Sequence, residues 1–563
     1  MSTLFYTDER CNKLFALCVL IWAAFVWSSG VCYAGNDNLI YKATLKGKDI
    51  MIFNGIPLEE GWGESLVYRA TKDSADTRTM GSLGGLPVVD IFNHNSGIAF
   101  FNTSTFQEPF TIRLTYYDDR VTIEAWGGSH IERFIHKGDY YEAVREFALR
   151  MQKKGLSVQP APAWAFDPIW ETYGFEEDFD SATIRKMLPL LKELGIKTIT
   201  IDSGWYGHGR GDQIDFYTGD FEINPDTIGS EREFKGLIRN LHAEGFRVRL
   251  WWAPGVSERG TKLARQHPDW FYRKAESSTG ETGDYYLDPT NPEVVAWNRA
   301  LVKRLIGYGV DGFKQDDVFH IITKDPKVHQ AYAKLFKDIF RISQELKTDF
   351  TVNTCNCGLA QNFYQINSQN QIITSDPVGS DQFRHRAKYL HALNINGAAI
   401  LGDHVELTKG DVGPQELKKA QFYKSVDFAS VVPLGMVLQT KFRRNPGSFY
   451  RKWFEIYHKY RFYQMKWVNI PLIPGRLEQY LMRCGEELYF SFFTGKPSDW
   501  FFGEITLSRL KPQTTYEVYD IVNEISLGEF IADNDRYRLN VKFKGSYVLQ
   551  VKPIDLNAVK KPS

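Results

Sequence analysis

Two aspartates that each follow a short apolar segment carry the chemistry that the sequence offers most directly. Asp316 follows residues 310–315, and Asp376 follows residues 371–375. A carboxylate at the end of a buried strand is costly unless it is paired or has a function. Hydrolysis of a glycosidic bond needs two such groups, one ionised to attack the anomeric carbon and one protonated to donate to the leaving oxygen. We therefore interpret Asp316 and Asp376 as candidate catalytic residues for this chemistry.

Each of these aspartates also has a structural interpretation. Lys314 lies two residues before Asp316, and alternate residues of a strand share one face. Its ammonium would keep Asp316 ionised, as a nucleophile requires, but a purely structural lysine–aspartate pair has the same spacing. Asp376 could instead cap the helix that follows, and Asp381 is an equally good cap. The residues alone leave Asp376 and Asp381 as alternatives for the second carboxyl group.

Polar and aromatic residues stand at the ends of neighbouring predicted strands. Asp202 and Trp205 follow one strand, Trp251 ends the next, and Trp170, Glu171 and Tyr173 end the first. A single tryptophan is more often part of a core, but several aromatics at successive strand ends favour a binding pocket, here for a sugar ring. Arg384, on the helix after Asp376, is a further candidate for contact with substrate.

Three segments position these residues by the same pattern of an amphipathic helix, a glycine and a short apolar strand. The residue seven positions after each glycine stands at the end of the strand. The constant offset predicts that the three side chains reach the same level, at the face of a parallel barrel where active sites assemble. The glycines are Gly195, Gly245 and Gly309, and the residues at the strand ends are Asp202, Trp252 and Asp316.

Eight candidate strands alternate with helices, which predicts an α/β fold with a (β/α)8 TIM barrel. A doubly wound parallel sheet is the alternative. The strands are expected at 168–173, 196–201, 246–251, 310–315, 350–354, 371–375, 398–401 and 431–438.

Short alternating segments flank the barrel on both sides and predict two β-domains. We expect an N-terminal β-sandwich over 35–158, the barrel over 159–463 and a C-terminal β-sandwich over 464–563. Residues 1–34 resemble a signal peptide, because two basic residues precede an apolar run that ends near Ala34. This predicts a secreted or periplasmic protein with no stable membrane insertion after cleavage, and an uncleaved anchor is the alternative.

Composition narrows the class of partner. Lys and Arg together number 68, as do Asp and Glu, so no net field favours nucleic acid. Three of the six cysteines fall in the predicted signal peptide, and Cys355, Cys357 and Cys484 are too few and too scattered for a disulfide framework or a metal site. We expect an oligosaccharide or glycoconjugate substrate, with no cofactor and no metal. The oligomeric state is not predicted.

Six motifs in order resemble the melibiase family of α-galactosidases and the related raffinose synthases. Residues 194–207 resemble the strand that ends in Asp-Asp-Gly-Trp, and residues 313–316 resemble the Ile-Lys-Trp-Asp of the nucleophile strand. The other four are 250–255, similar to Leu-Trp-Phe-Glu-Pro-Glu; 286–294, similar to the stretch before the nucleophile; 353–358, similar to Glu-x-Cys-Ser-Gly-Gly; and 374–376, which matches Thr-Ser-Asp.

The resemblance implies a β-supersandwich, a (β/α)8 barrel and a C-terminal β-domain. It also implies that Asp316 is the nucleophile and that Asp376, rather than Asp381, is the acid/base. The residues that it places around the sugar are Asp202, Trp205, Trp251, Lys314 and Cys355.

Departures from the family pattern fall on positions that select the sugar. Ser203 stands where the family has a second aspartate, which normally contacts the galactose 4- and 6-hydroxyls, and Gly255 replaces a glutamate. The usual arginine before residue 287 has no counterpart, with Thr282 near its place. The expected activity is α-galactosidase-like, and the alternatives are an α-glycosidase of other specificity, a transglycosylase or a non-catalytic carbohydrate-binding protein.

Overall fold

The structure is a computed structural model that describes most of the chain after residue 38. Within the described part, no helix combines the length and apolarity that a membrane crossing needs. The predicted signal peptide and Asp376 lie outside the described residues. These residues are 39–57, 65–70, 74–80, 85–175, 178–209, 218–258, 260–274, 284–316, 325–356, 359–375, 380–402, 435–438, 448–495 and 498–554.

Within the described residues, nine strands and one helix precede the barrel. The strands form two antiparallel sheets, one in the order β1-β8-β7-β4 and the other in the order β3-β2-β5-β6-β9. The elements are β1 (Leu39–Lys46), β2 (Met51–Asn54), β3 (Val67–Arg69), β4 (Ala75–Met80), β5 (Val88–Phe92), β6 (Gly97–Asn102), β7 (Phe110–Tyr117), β8 (Arg120–Gly127), β9 (Ile131–His136) and α1 (Tyr140–Lys153).

Helix α1 joins these sheets to the barrel. Asp139 caps its first turn by accepting from the backbone N–H of Tyr141 at 3.1 Å. Its buried face includes Tyr140, which stacks on Phe53 with ring centroids 5.1 Å apart, and Phe147, which meets Phe363. The N-terminal sheets and the barrel therefore share one hydrophobic core.

The middle of the chain alternates strands and helices. Its elements are β10 (Ile169–Glu171), α2 (Ser181–Glu193), β11 (Thr198–Ile201), α3 (Glu231–Ala243), β12 (Arg247–Trp252), β13 (Val256–Glu258), α4 (Lys262–Gln266), β14 (Phe271–Lys274), β15 (Asp284–Leu287), α5 (Pro292–Ile306), β16 (Gly312–Gln315), α6 (Pro326–Leu346), β17 (Thr351–Thr354), β18 (Gln371–Ile373), α7 (Ser380–Leu393), β19 (Ala399–Gly402), β20 (Gly435–Leu438) and α8 (Ser448–Tyr460). Short 3₁₀ turns cover Ala163–Phe166, Thr172–Phe175, Pro268–Trp270, Phe363–Ser368 and Phe462–Gln464.

Eight parallel strands form one sheet in the order β17-β16-β12-β11-β10-β20-β19-β18. The two outer strands of this order meet where the backbone N–H of Asn370, just before β18, donates to the carbonyl of Val352 in β17 at 3.2 Å. The Asn370 side chain also accepts from the Val352 N–H at 2.9 Å. This closure confirms the predicted barrel and excludes the doubly wound alternative.

The helix–glycine–strand pattern is confirmed at the three predicted positions. Gly195, Gly245 and Gly309 follow α2, α3 and α5 with φ of +69°, +89° and +105°, a region that L side chains avoid. Strands β13, β14 and β15 form a small antiparallel sheet between β12 and α5. This sheet was not among the predicted elements.

The C-terminal strands form a β-sandwich. Six strands pair antiparallel in the order β21-β22-β23-β28-β25-β26, and β24 pairs with β27 in a second sheet. Leu507 of β24 and Phe543 of β27 share a separate core with Phe490 of β23. The strands are β21 (Lys466–Val468), β22 (Glu478–Cys484), β23 (Glu487–Phe493), β24 (Trp500–Ser508), β25 (Thr514–Asp520), β26 (Ile525–Ala532), β27 (Arg536–Lys544) and β28 (Ser546–Pro553).

Candidate active site

Asp316 stands directly after β16, at the C-terminal face of the barrel. Its backbone N–H donates to the carbonyl of Trp252 at 3.1 Å, which continues the β12–β16 pairing beyond the strand. Its Oδ2 accepts a hydrogen bond from Nε1 of Trp251 at 2.9 Å. The predicted nucleophile therefore has a fixed orientation and a donor from the neighbouring strand.

Trp251 is itself held on two sides. Its indole stacks on the ring of Tyr206, with centroids 5.5 Å apart and planes 11° apart. Its carbonyl accepts from Nε1 of Trp205 at 2.9 Å. The indole that contacts Asp316 is therefore positioned by residues that follow β11.

A network of buried charges lies at the same end of the barrel. Lys314 donates from Nζ to Glu171 Oε2 at 2.8 Å and to Asp202 Oδ2 at 2.9 Å. Arg249 Nη1 lies 4.0 Å from Glu171 Oε1. All four side chains are almost completely buried, and a buried charge is stable only when it is paired in this way.

Lys314 has partners that its spacing from Asp316 did not predict. Its effect on the ionisation of Asp316 stays a prediction, and the structure gives its ammonium the carboxylates of Glu171 and Asp202 as partners. The reason is that β10 and β16 are separated by two strands of the closed sheet, so a long side chain can reach across the lumen. Burial raises the pKa of Asp202 and the nearby Lys314 opposes this rise.

The constant seven-residue offset advances by one residue at each strand in the hydrogen-bond register. Ile201 pairs with Leu250, so Asp202 is in register with Trp251, which pairs with Lys314. Trp252 pairs with Gln315, one residue before Asp316. Because the strands of a closed barrel are tilted, residues at one height differ in register by about one residue per strand, so this stagger agrees with the predicted common level.

Three residues predicted near the sugar are buried side chains. Trp170 meets Phe175 edge to face, Trp205 stacks on Phe234 with planes 12° apart, and Cys355 lies in a small apolar cluster with Ile373. Trp170 and Trp205 have no exposed surface, so their described packing supports the walls of the site. Contact of these three residues with a sugar stays a prediction.

Two residues near Lys314 were absent from the predicted site set. Glu171 is the residue after Trp170 and takes the position that pairs with Lys314. Tyr173 is 40% exposed, and its ring centroid lies 5.8 Å from the Lys314 ammonium. Tyr173 is therefore an accessible aromatic surface beside the charge network, and its place at the end of the first predicted strand is the signal in the sequence that points to it.

Arg384 has a partner in the C-terminal domain. Its Nε donates to Glu478 Oε1 at 2.7 Å and its Nη2 donates to Oε2, so the pair is bidentate. The guanidinium also lies 4.5 Å from the centroid of the Phe493 ring. Its predicted contact with substrate stays untested, whereas its contact with β22 joins α7 to the C-terminal sandwich.

The chain that leads to Asp376 is supported from the barrel. The Thr374 N–H donates to the Leu401 carbonyl at 2.9 Å, and Arg386 Nη1 donates to the Thr374 carbonyl at 3.2 Å. Ser375 has a φ of +65°, which is uncommon for a residue other than glycine and turns the chain after β18. Asp376 follows directly in sequence and lies outside the described residues.

Gly255 has a structural reason to differ from the glutamate of the family pattern. Its φ is +89°, and a Cβ at this position would lie 2.7 Å from Cε1 of Tyr332. The Tyr332 hydroxyl donates to the Leu287 carbonyl, so the ring is fixed. No larger side chain fits there without movement of α6.

The arrangement can hold and orient a carboxylate beside a network of buried charges. Asp316, Glu171 and Asp202 carry three acidic groups, and Lys314 and Arg249 carry two basic ones, so the ionised set has one excess negative charge. Such a set favours a transition state with positive charge. In the described part of the chain, no cluster of three or more His, Cys, Asp or Glu side chains could hold a metal ion.

Comparison with known proteins gives a consistent set of similarities. The sequence model of the family described as Melibiase matches residues 150–408. The chain is 26% identical over 532 residues to the A type blood alpha-D-galactosamine galactosaminidase of Flavonifractor plautii, which covers 86% of this chain and 46% of that protein. It is 31% identical over 214 residues to the bifunctional alpha-galactosidase/sucrose kinase AgaSK of Mediterraneibacter gnavus, which covers 36% of this chain and 21% of that protein. The chain thus spans less than half of the length of these curated relatives.

Solved structures share the fold at low identity. The α-galactosidase AgaA of Geobacillus stearothermophilus superposes with a TM-score of 0.63 at 13% identity, over 92% of this chain and 76% of that one. The combination of barrel and flanking β-domains is therefore a known architecture.

Proposed function

Because this chain belongs to the melibiase family, we propose that it is a retaining α-glycoside hydrolase, α-galactosidase-like, that removes a terminal α-linked sugar from an oligosaccharide or glycoconjugate. The observation that carries the proposal is the hydrogen bond from Trp251 to the carboxylate of Asp316, beside the network of Glu171, Asp202 and Lys314. A buried indole that orients a carboxylate at the C-terminal face of a barrel is what a positioned nucleophile requires.

The mechanism is a double displacement. Asp316 attacks the anomeric carbon, and the bond to the leaving oxygen breaks as Asp376 donates its proton to that oxygen. Asp376 then takes a proton from water, whose oxygen attacks the same carbon and releases Asp316. The three carboxylates of the site outnumber its two cations, and this excess negative charge stabilises the oxocarbenium-like transition states of both steps. The sugar is released with its original anomeric configuration.

The polar side chains beside Asp316 can form hydrogen bonds with the hydroxyl groups of the sugar. Asp202 and Glu171 are acceptors and Lys314 is a donor, and all three lie within one bonded network. Tyr173 offers an exposed ring beside them. Relatives that act on galactose or galactosamine by name support a galactose-type sugar, and relatives named α-xylosidase make xylose the competing assignment.

The proposal is tested with a panel of aryl α-glycosides that differ only in the sugar. We expect turnover with the α-galactoside, the α-galactosaminide or the α-xyloside, and proton NMR of the first product should show the α-anomer. A β-anomer as the first product would refute retention, and no turnover with any α-glycoside would favour a non-catalytic binding protein. Products larger than the donor would identify a transglycosylase.

The nucleophile is tested by Asp316→Asn. This variant should lose turnover while its circular dichroism and unfolding midpoint stay close to those of the wild type. Asp338→Asn is the matched control, because Asp338 lies on α6 and pairs with Arg299 outside the barrel lumen. Normal turnover by Asp316→Asn would refute the assignment of Asp316.

The proposed cellular location is outside the cytoplasmic membrane, as a secreted or periplasmic protein. The support is the basic and apolar pattern of residues 10–34. N-terminal sequencing of the protein recovered from cells should begin near residue 35. A mature protein that keeps residues 10–31 would favour the uncleaved anchor.

A further inference from the structure

The outer face of the β24–β27 sheet carries an exposed pair of aromatic rings. Trp500 is 54% exposed and Phe502 is 65% exposed. Their rings stack on each other, with centroids 5.8 Å apart and planes 28° apart. Scattered apolar residues on a surface are ordinary, but two large stacked rings side by side form a continuous surface that indicates binding.

Alternation along β24 explains why these rings face outward. Ile505 and Leu507 are buried in the core of the C-terminal sandwich, and Phe501 packs partly against it. Trp500 and Phe502 occupy the opposite phase of the same strand, because successive side chains point to opposite faces. The sandwich core is therefore complete without these two rings.

Polar side chains continue the same face along the two strands. Glu504 pairs across the sheet with Asn540, and Thr506 pairs with Arg538. The Lys542 ammonium lies 5.2 Å from the centroid of Trp500 and 5.1 Å from that of Phe502. The face thus presents two apolar rings followed by hydrogen-bond donors and acceptors.

This face carries more cations than anions, and acids at its ends offset part of the difference. Arg538 lies 3.4 Å from Glu504 on the face, and Arg536 lies 3.8 Å from Asp535 at its end. Cations paired in this way attract a polyanion or an anionic membrane less than unpaired ones do. The cations of the face are Arg536, Arg538, Lys542 and Lys544, its anion is Glu504, and Asp499 and Asp535 stand just before the two strands.

We propose that this face, which we call the β24–β27 platform, binds a neutral glycan chain. A pyranose ring has an apolar C–H face that stacks on an aromatic ring, and its hydroxyls bond to carboxylate, amide and guanidinium groups. A second copy of the chain is a poorer fit, since a specific interface buries on the order of 1,000 Å² and this face has only two exposed rings among charged side chains. The choice of a glycan as partner rests on the proposed function, because a hydrolase of glycans meets many linked sugars in its substrate.

The platform is tested by affinity electrophoresis in gels that contain galactomannan or desialylated mucin. The parent protein is Asp316→Asn, so that binding is measured without turnover. We expect retardation by at least one glycan, and loss of about tenfold in affinity when Trp500→Ala and Phe502→Ala are added. Ile531→Ala is the matched control, because Ile531 is a 60% exposed apolar residue of the same domain and its loss should leave retardation unchanged.

Turnover provides a second measurement in the otherwise wild-type enzyme. The Trp500→Ala/Phe502→Ala variant should keep its kcat/KM for a small aryl α-glycoside, since the platform lies on the C-terminal sandwich and not in the barrel.

Four results would overturn the proposed glycan binding. Two concern the gels: no retardation of the parent by either glycan, and equal retardation of the parent and the double variant. The other two are ring-dependent binding to phosphatidylglycerol vesicles and ring-dependent dimerisation, each in place of glycan binding. An inactive enzyme whose platform still binds glycan would refute the proposed function alone.

Discussion

Nε1 of Trp251 donates to Oδ2 of Asp316 at 2.9 Å, from one barrel strand to the end of its neighbour. The bond depends on the β12–β16 register, in which Trp251 pairs with Lys314 and so brings the indole beside the residue two positions later. A hydrogen bond to a charged group contributes about 1.5–3 kcal/mol. Trp251 therefore acts on Asp316 as a positioning residue.

Removal of this donor should reduce turnover without unfolding the protein. Trp251→Phe keeps a ring that can stack on Tyr206 but lacks the indole N–H, so we expect kcat/KM to fall roughly 10- to 100-fold. Trp270→Phe is the control, because Trp270 donates to Glu293 at 3.2 Å outside the lumen. Equal activity of the two variants on an aryl α-glycoside would show that the Trp251 bond does not support Asp316.

Lys314 should be essential for stability as well as for the site. Lys314→Met leaves Glu171 and Asp202 as buried carboxylates without their shared cation, and breaking such a pair costs about 3–5 kcal/mol. The pKa of Asp202, already raised by burial, should rise further because the opposing charge is gone. Urea unfolding followed by fluorescence measures the loss.

The control for Lys314 is an exposed pair of the same chemistry. Lys262 donates to Glu222 at 2.7 Å, and both side chains are about half exposed, at 56% and 48%. Lys262→Met should cost less than about 1 kcal/mol, because water screens a surface pair. Similar losses for the two lysine variants would argue against a buried network around Lys314.

The barrel and the position of Asp316 could be predicted because their signals are local. Apolar segments of strand length and a glycine after each helix depend only on neighbouring residues, and the structure confirms both. The partners of Lys314 could not be predicted, since Glu171 lies 143 residues away and meets it only through barrel closure.

For a related reason, the sequence could not show which of Trp170 and Glu171 faces the barrel lumen. Strand β10 is buried on both faces, so its sequence has no polar alternation that reveals which side faces the lumen. Trp170 was the predicted site residue of this strand, whereas Glu171 forms the bond to Lys314 in the structure. Strands of this kind need the structure to assign their faces.

Gly255 should tolerate substitution less well than a glycine with the same backbone angle. Gly245 also has a φ of +89°, but a Cβ there would meet nothing within 4 Å, whereas at Gly255 it would lie 2.7 Å from the Tyr332 ring. Gly245→Ala should cost about 1–2 kcal/mol for the backbone alone. Gly255→Ala should add about 1–3 kcal/mol for overpacking.

Thermal unfolding of the two glycine variants separates these contributions. Equal losses would mean that Tyr332 moves freely and that Gly255 has no steric role. A larger loss at Gly255 would explain why this chain cannot carry the glutamate of the family pattern. Its sugar specificity would then be set by other residues, and Ser203 and Tyr173 are the candidates.

The Arg384–Glu478 pair should make the contact between α7 and the C-terminal sandwich sensitive to acid. Burial alone would raise the pKa of Glu478, but Arg384 overrides it and lowers the pKa from its ordinary 4.5 to about 2. A carboxyl group with a lowered pKa in the folded state stabilises that state above the unfolded value and loses this contribution as pH falls through the folded value. The window is therefore about pH 4.5 down to 2, and the contribution is about 3 kcal/mol at neutral pH.

Glu478→Gln tests this window. The difference in unfolding midpoint between the wild type and this variant should be largest above pH 5 and should shrink steadily toward pH 2, because the wild-type carboxyl group becomes protonated. Glu486→Gln is the control, since Glu486 pairs with Lys511 on the surface of the same domain and should show little difference at any pH. A constant difference for Glu478→Gln across the range would mean that its charge does not stabilise the fold.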